Sequence, residues 1–580
     1  MSILADVHRS IDKFDRSVEE QVKRARVDKR FAADLLRKWR AAQKQIATNR
    51  TPTGITLLQL ALPATDEPSQ IARYVYGQGL PGRFPFVNSA YPNMYLDHGD
   101  PREEPTRLFA GLGLAEDTNA RFHYLTKHQR TVRLSTAFDG PTLYGMDSDE
   151  PGVFGKIGEG GVAIDTVDDM QRLYDGFPLD DEHFSASMTI NGPAPILLAM
   201  YIAAARRRFG DGVVKKLRGT VQADILKEVQ AQNEVLFPLD ASLRFLLDMI
   251  DFTTAKMPRW YPISISGYHI AEAGATPVQQ AAYTLSNGFT YIELLRARGL
   301  DVNDFGPRLS FFLDCGLDIE YLVLPRVCRK IWAIAMRDVF GASERAQRFK
   351  LHTQTSGRSL IAADYKNNLT RTAIELMLSY INCTNSSHSN SADEAFTTPS
   401  QEYVRLAAHG QAILLEESGL FKHVMNLFVG SPGMIALESA VQEAILAEFD
   451  TIDRLGGVLP AMEHRYQRSQ IQSAAHRYEQ QIHSGERPVI GLNKYREESV
   501  EPNLPVVRTP RTKKQLQIKR LRAFRRRQTR YAEHALDALS HTIESGGNSF
   551  AQLIQTVEHC TLGQITRRLH ALVGRYRPSV

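Results

Sequence analysis

The stretch Tyr261-Pro-Ile-Ser-Ile-Ser-Gly-Tyr-His-Ile-Ala-Glu-Ala-Gly-Ala-Thr276 decides how the chain is read. Apolar residues alternate with serines as far as Ser266, the period of a strand. Gly267 then turns the chain, and Tyr268, His269 and Glu272 follow on the approach to a helix. A titratable side chain just past the C-terminal end of a strand is where an α/β barrel carries its chemistry.

Working outward, short β-rich runs alternate with longer helical ones from about residue 130. The strands predicted are Val132–Phe138, Gly161–Ile164, Ser185–Ile190, Leu217–Val221, Tyr261–Ser266, Phe289–Leu294, Arg308–Phe312 and Phe349–Thr353. Helices are predicted between them at Pro195–Arg208, Leu239–Thr254, Pro277–Ser286 and Leu322–Val339. Eight strands, each with room for a helix after it, is the count of a (β/α)8 TIM barrel. An open doubly wound sheet is the alternative, but the Gly-rich dinucleotide loop that would favour it is missing. The fold class expected is therefore α/β, a barrel with an N-terminal helical and extended arm and a C-terminal helical segment. The divisions are 1–50 helical, 51–130 an extended arm wrapping the barrel, 131–425 the barrel, 426–500 a helical extension, 501–512 a Pro-bearing linker and 513–580 a C-terminal helical segment. In residues 1–50, Phe14, Val18, Val22, Val27, Phe31, Leu35 and Trp39 recur at helical spacing, as one long helix or a pair.

The chain has 580 residues, enough for one large decorated domain or two. With 70 basic and 65 acidic residues the charge is near balance, which gives no argument for nucleic acid. The four cysteines lie far apart without C-x-x-C spacing, as in a reducing compartment and without a zinc site. No signal pattern and no apolar run of about 18 residues is evident, so a cytoplasmic protein that does not cross a membrane is expected.

Polar groups gather at the predicted strand ends: Ser135 to Asp139, Ser187 to Gly192, Thr220 to Asp224, His269, Arg308 and Ser310, Gln354 to Gly357, then Asn385 to Glu394. Each alone fits a cap or a hydrogen-bonded core group. Their convergence on one face fits a barrel active site. His269 and Glu272 form an H-x-x-E pair without a third ligand, so no metal site is expected. A neutral His269 beside Tyr268 can donate to a substrate carbonyl. Ser/His/Asp hydrolysis lacks a G-x-S-x-G elbow. The basic run Lys513–Arg530, with Leu516, Leu521 and Phe524 interleaved, fits a solvated helix face better than a nucleic-acid surface.

Long motifs then match a family. They are Leu134-Ser-Thr-Ala-Phe-Asp139, Tyr144-Gly-Met-Asp-Ser-Asp149, Gly161-Val-Ala-Ile-Asp165, Ser187-Met-Thr-Ile-Asn-Gly192, Gly219-Thr-Val-Gln-Ala-Asp-Ile-Leu-Lys-Glu228, Ser264-Ile-Ser-Gly-Tyr-His269, Pro307-Arg-Leu-Ser-Phe-Phe312, Gln354-Thr-Ser-Gly357 and Gly491-Leu-Asn-Lys-Tyr495. Over roughly residues 50–500 the chain resembles the large catalytic subunit of adenosylcobalamin-dependent acyl-CoA mutases, the methylmalonyl-CoA mutase family. Ile190-Asn-Gly-Pro-Ala-Pro195, Gly267-Tyr-His-Ile-Ala-Glu-Ala-Gly274 and Arg345–Gln354 resemble the isobutyryl-CoA mutase branch most, particularly its fused type. The Asp-x-His-x-x-Gly motif that ligates cobalt is not found; Asp181-Glu-His-Phe-Ser-Ala186 lacks its Gly. A Walker A loop is not found either. The resemblance therefore implies adenosylcobalamin with its cobalt ligated by a separate small cobalamin-binding subunit, a G-protein chaperone, and a heterotetramer acting on acyl-CoA.

The resemblance implies residue roles as well. His269 and Gln222 are donors to the thioester oxygen, with Tyr268 and Tyr91 beside them. Arg308, Ser310 and Ser135 contact the substrate's CoA portion or line its path. Asn390 and Glu394 hold the adenosyl ribose, and Phe138 and Gln354 line the cofactor side. Gln232 stands where methylmalonyl-CoA mutases carry an Arg that pairs with the substrate's free carboxylate. An amide supplies neither that charge nor a bidentate fork. The implied reaction is 1,2-migration of the CoA-thioester carbonyl between isobutyryl-CoA and n-butyryl-CoA or a close analogue. Tyr91 stands where the isobutyryl branch has Phe, and Asn88 replaces a family Arg. The rival substrates are 2-hydroxyisobutyryl-, pivalyl- and methylmalonyl-CoA, and the rival class is an inactive barrel serving as scaffold for a G-protein chaperone.

Overall fold

The computed structural model describes residues 2–96, 106–496 and 506–577. The chain divides into two compact units: unit one holds residues 1–106, 267–395 and 402–502, and unit two holds 107–266, 396–401 and 503–580.

Unit two carries strands β1 (Leu108–Ala110), β2 (Val132–Ala137), β3 (Phe184–Thr189), β4 (Gly219–Val221) and β5, in two pieces (Trp260–Tyr261 and Ile263–Ser266). The break in β5 falls at Pro262, which has no N–H for a ladder. β1 to β4 and the first piece of β5 pair in that order, all parallel, with Ser135 opposite Ser187 and Gly219 opposite both Ala186 and Trp260. Unit one carries β6 (Leu309–Cys315), β7 (Leu351–Thr355) and β8 (Ser386–His388), again parallel and in order. Helices follow the strands along the chain, among them Ala115–Thr126, Ala194–Phe209, Leu239–Lys256, Pro277–Ala297, Leu324–Asp338 and Asn368–Ile381. Parallel strands alternating with helices are the α/β barrel class expected.

Two of the predicted strands are not strands. Phe289–Leu294 lies inside the helix Pro277–Ala297, which opens with a capping box between Thr276 and Gln279 and with Pro277 in its first turn. That helix is buried nearly all round, so its β-branched and aromatic run has the composition of a buried strand. Gly161–Ile164 is a loop with a single bridge, Val162 to Phe138. A Cβ on Gly161 would stand 2.1 Å from the Phe138 carbonyl carbon, so the glycine serves a close backbone crossing. β1 and β8, both only three residues long, take their places, and among the described residues the parallel strands still number eight when β5 is counted once. The segment after the last predicted strand thus contains a strand of its own, and Arg308 ends a 3-10 turn rather than lying in β6.

The N-terminal periodicity resolves into two helices, Ile3–Val27 and Lys29–Gln45, parted at Asp28, whose carboxylate caps the second by accepting from the Arg30 and Phe31 amides. Val18, Val22, Leu35 and Trp39 pack there against Ile71 and Tyr74 of the helix Pro68–Gly77.

The basic run forms part of a 34-residue helix, Arg511–Glu544. The expectation of a solvated face is corrected. Lys513 pairs with Asp117, Lys514 with Glu159, Arg520 with Glu116, Arg525 with Asp147 and Asp149, and Arg527 with Asp168. Lys514, Gln517, Leu521 and Phe524 are buried, and Gln517 donates to Asp165 and Asp169. Five of the basic residues thus pair within unit two while Lys519, Arg522, Arg526 and Arg530 stay exposed, and sequence pattern did not show the pairs because every acidic partner lies more than 340 residues away. Among the described residues, no helix is long and apolar enough to cross a membrane. All four cysteines are buried and unbridged.

Candidate functional site

In unit one the site residues of the 261–276 stretch sit on a five-residue helix, Tyr268–Glu272. Gly267 turns into it where a Cβ would stand 2.4 Å from the Thr284 hydroxyl, so only glycine fits. The Tyr268 ring stacks on Phe312 of β6 at 4.8 Å and 3°, and the His269 ring stands edge-on to both, at 5.3 Å and 5.6 Å. Gln354 of β7 donates from Nε2 to the Tyr268 hydroxyl at 3.1 Å and to Asn390 Oδ1 at 2.7 Å. Asn390 in turn donates to the Thr355 carbonyl and accepts at its own carbonyl side chain from Gln354, so its amide is held at both ends. Burial raises the Tyr268 phenol well above its ordinary value, and the nearby Glu272, Glu394 and Asp314 carboxylates add to this. Tyr268 is therefore a neutral hydroxyl.

Glu272 is not a ligand in waiting. Its Oε1 accepts from the Gly357 and Arg358 amides at 2.8 and 3.2 Å and from the Ser356 hydroxyl at 3.3 Å. Among the described residues no group of three or more His, Cys, Asp or Glu is placed to hold a metal ion. Glu394 differs from these buried groups. Its side chain is open to solvent, yet surrounding protein pushes its pKa up to about 7. Arg308 and Ser310 flank the start of β6 and are half-buried. Tyr91 is half-buried in the arm, its ring 5.3 Å beneath the Arg348 guanidinium. Asn88 points inward: it donates to the Gly79 carbonyl and accepts from Arg326. It is a structural tie.

In unit two Gln222 follows β4 and is buried. Its Oε1 accepts from Asn191 at 3.0 Å and its Nε2 donates to the Ser266 hydroxyl at 2.9 Å. An amide nitrogen has two hydrogens, so this fixed orientation leaves one donor for a substrate oxygen. Ala223 beside it takes φ +51°, a left-handed kink that ends the strand. Ser135 lies in β2, buried, and Phe138 just beyond it, bridged to Val162. Gln232 closes a π-helical turn, Glu228–Gln232, and its Oε1 accepts from the Lys227 ammonium at 2.7 Å. Lys227 and Glu228 form a fully buried ion pair at 2.5 Å.

Sequence reasoning missed that pair, and it missed Arg107, whose guanidinium reaches the Ser187 hydroxyl and the Leu134 carbonyl. Burial, with Arg133 and Arg218 nearby, pushes Arg107 down to about 9. Two basic residues adjoining the starts of β1 and β2, and a third before β4, were the available signal. A cavity of about 410 Å³ in the same unit, lined by Arg121, Tyr124, Arg508 and Lys513 among others, contains none of the candidate substrate or cofactor residues.

Comparison with known proteins bears on these positions. The sequence model of the methylmalonyl-CoA mutase family matches residues 51–575. A fused isobutyryl-CoA mutase of Geobacillus kaustophilus is 45% identical over 558 residues, covering 91% of this chain and 51% of that protein. The 2-hydroxyisobutanoyl-CoA mutase large subunit of Aquincola tertiaricarbonis is 37% identical over 504 residues, 86% of this chain and 88% of that protein. The methylmalonyl-CoA mutase large subunit of Streptomyces virginiae is 35% identical over 556 residues, 93% of this chain and 74% of that protein. The chain thus spans about half the length of the fused relatives it matches. It belongs to the methylmalonyl-CoA mutase family.

Proposed function

We propose that this chain is the substrate-binding, catalytic part of an adenosylcobalamin-dependent isomerase that moves the CoA-thioester carbonyl between neighbouring carbons, with isobutyryl-CoA and n-butyryl-CoA as its pair. The observation that carries the substrate is the setting of Gln232. Among the described residues the cation in contact with it is Lys227, and Glu228 neutralises that cation. A substrate with a free carboxylate would meet an amide and no uncompensated charge, which costs several kcal/mol, on the order of a broken buried pair. Names of relatives span isobutyryl, 2-hydroxyisobutanoyl and methylmalonyl substrates, so identity alone does not choose.

The residues present fit the cofactor: Glu394, solvent-open and beside Ser391, would offer carboxylate oxygens to ribose hydroxyls, with Asn390, which orders Gln354, beside it. When bound, adenosylcobalamin supplies the radical that removes and returns the migrating hydrogen. The chain's own residues bind and orient. His269 and Gln222 donate to the thioester oxygen as charge develops there. Tyr268, stacked and neutral, closes the space beside His269. Ser135, Arg308, Ser310 and Tyr91 line the substrate, and Phe138 and Gln354 the cofactor side.

We assign the cobalt ligand to a separate small subunit, with a G-protein chaperone, a heterotetrameric assembly and a cytoplasmic location. High mutual coverage with a relative named a large subunit supports this. The names of the fused relatives support the other arrangement, in which one longer chain carries both parts. The test is to mix the chain with a cobalamin-binding module and profile acyl-CoA products by mass spectrometry. Interconversion of isobutyryl- and n-butyryl-CoA is expected. Equal rates on methylmalonyl-CoA would refute the Gln232 reading, and turnover by this chain with adenosylcobalamin alone would refute the separate subunit.

A further inference from the structure

We infer that Lys227 is a positioning residue for acyl-group selection: it fixes which end of the Gln232 amide faces the substrate. This deepens the proposed function and rests on it.

The geometry is one-directional. An ammonium only donates, so the Gln232 atom 2.7 Å from Lys227 Nζ has to be Oε1. Nε2, with its two hydrogens, is thereby directed away from Lys227. Lys227 itself cannot drift. It is fully buried and paired to Glu228 Oε1, and the other Glu228 oxygen accepts from the Glu234 amide at 2.9 Å. Gln232 is only half-buried, so its remaining face is accessible.

The backbone is shaped for this contact. Residues five apart on an α-helix point about 140° away from each other. Lys227 and Gln232 are five apart and meet because Glu228–Gln232 is a π turn, with five-residue repeats. Asn233 ends the turn in the left-handed region at φ +69°, donating its amide to the Glu228 carbonyl at 2.9 Å. Two uncommon backbone features are spent on bringing one buried ammonium to one amide oxygen. The result is an amide at position 232 whose donor end is turned away from Lys227. Such an amide admits an uncharged acyl branch and lacks the cation a free carboxylate needs.

The test uses binding, so that it stands apart from turnover. Affinities of isobutyryl-CoA, 2-hydroxyisobutyryl-CoA and methylmalonyl-CoA are measured by calorimetry on the assembled protein. The variants are wild type, Gln232→Ala, Lys227→Met/Glu228→Gln and all three substitutions together. The pair variant removes both buried charges, so no lone ion is left behind. We expect it to change the discrimination among the three esters by about tenfold, the value of one oriented hydrogen bond to a polar partner, and to have no further effect once Gln232 is Ala. A purely structural role would lower all affinities together and leave their ratios alone. Unchanged ratios, or the same ratio change in both backgrounds, would overturn the inference. If the pair variant does not fold, Lys227→Leu/Glu228→Met, a second uncharged pair that cannot donate to Oε1, is put through the same comparison. Wild-type protein that binds none of the three esters would sink the proposed function; wild type that binds them without this coupling would sink only the role of Lys227.

Discussion

Arg522 and Arg525 stand three residues apart on the same helix and address the same carboxylate, Asp149, yet they should differ sharply in what they hold. Arg525 donates from Nη1 and Nη2 to the two Asp149 oxygens at 2.9 and 3.0 Å, and from Nη2 to Asp147 at 2.5 Å. Asp147 is wholly buried. Arg522 makes one long contact of 3.5 Å and is 61% exposed. Removing the partner of a buried charge costs about 3–5 kcal/mol. Asp147 retains the Thr561 hydroxyl, the Gly563 amide and a distant Arg567, so Arg525→Ala should cost less, about 2–3 kcal/mol. Arg522→Ala should stay within about 0.5 kcal/mol, as exposed pairs do. The assay is limited trypsin cleavage within 513–530, where Lys and Arg abound. When opening is fast relative to cleavage, 2–3 kcal/mol corresponds to roughly 30- to 150-fold faster cutting. Raising salt should erase any Arg522 effect and leave most of the Arg525 effect, because screening acts on exposed charges. Equal changes at the two positions, or cleavage of Arg525→Ala within about threefold of wild type, would refute the assignment of this helix as a charge-locked part of unit two.

His269→Ala should lower mutase turnover by about 10²–10³, the loss of one donor to a developing oxyanion, and unchanged turnover would remove His269 from the reaction. Glu394, with its pKa pushed up to about 7, stabilises the fold fully below the unfolded carboxyl pKa and loses that contribution as pH rises through about 7. The melting-temperature gap between wild type and Glu394→Gln should therefore move against wild type between pH 5.5 and 8, and a pH-independent gap would contradict the raised pKa. Gly274→Ala should destabilise by about 3 kcal/mol or more, since the new Cβ would stand 2.2 Å from Ala475 Cβ on a backbone of φ +115°. Gly210→Ala, with φ +77° and open space around it, should show only the backbone part, about 1 kcal/mol, in the same thermal melts.

What was legible in the sequence followed from local physics. The alternation 261–266, the turn at Gly267 and the helix from Pro277 are set by neighbours in the chain, and all three appear. β1 and β8 were illegible because three residues carry no period, while Phe289–Leu294 misled because a helix buried on every side has strand composition. Candidate site residues could be named by type and position at strand ends. Their partners were not: the Gln354 bond to Tyr268 spans 86 residues, and Gln517 meets Asp165 across 352. The π turn that joins Lys227 to Gln232 has no composition signal, since nothing in Glu-Val-Gln-Ala-Gln opposes an ordinary helix.

The H-x-x-E spacing of 269 and 272 carries more than its sequence suggests. On one helical turn it puts the imidazole and the carboxylate on the same side of a five-residue helix too short to hold itself. Glu272 then anchors that helix to the loop after β7, through three donors at Ser356, Gly357 and Arg358. A Cβ at Gly357 would come within 2.5 Å of Glu272 Oε2 and push this carboxylate from its place. Three residues before Gly357, Gln354 ties the same helix a second time through the Tyr268 hydroxyl. Two ties on opposite ends of one turn prevent both sliding and rotation, and stacking on Phe312 fixes the remaining tilt. A donor aimed at a developing charge is effective only if it does not reorganise as the charge appears. Burial raises the pKa of Glu272 while the amides lower it, so its grip depends on those amides staying in place. The carboxylate that first suggested half a metal site is the part that holds His269 still.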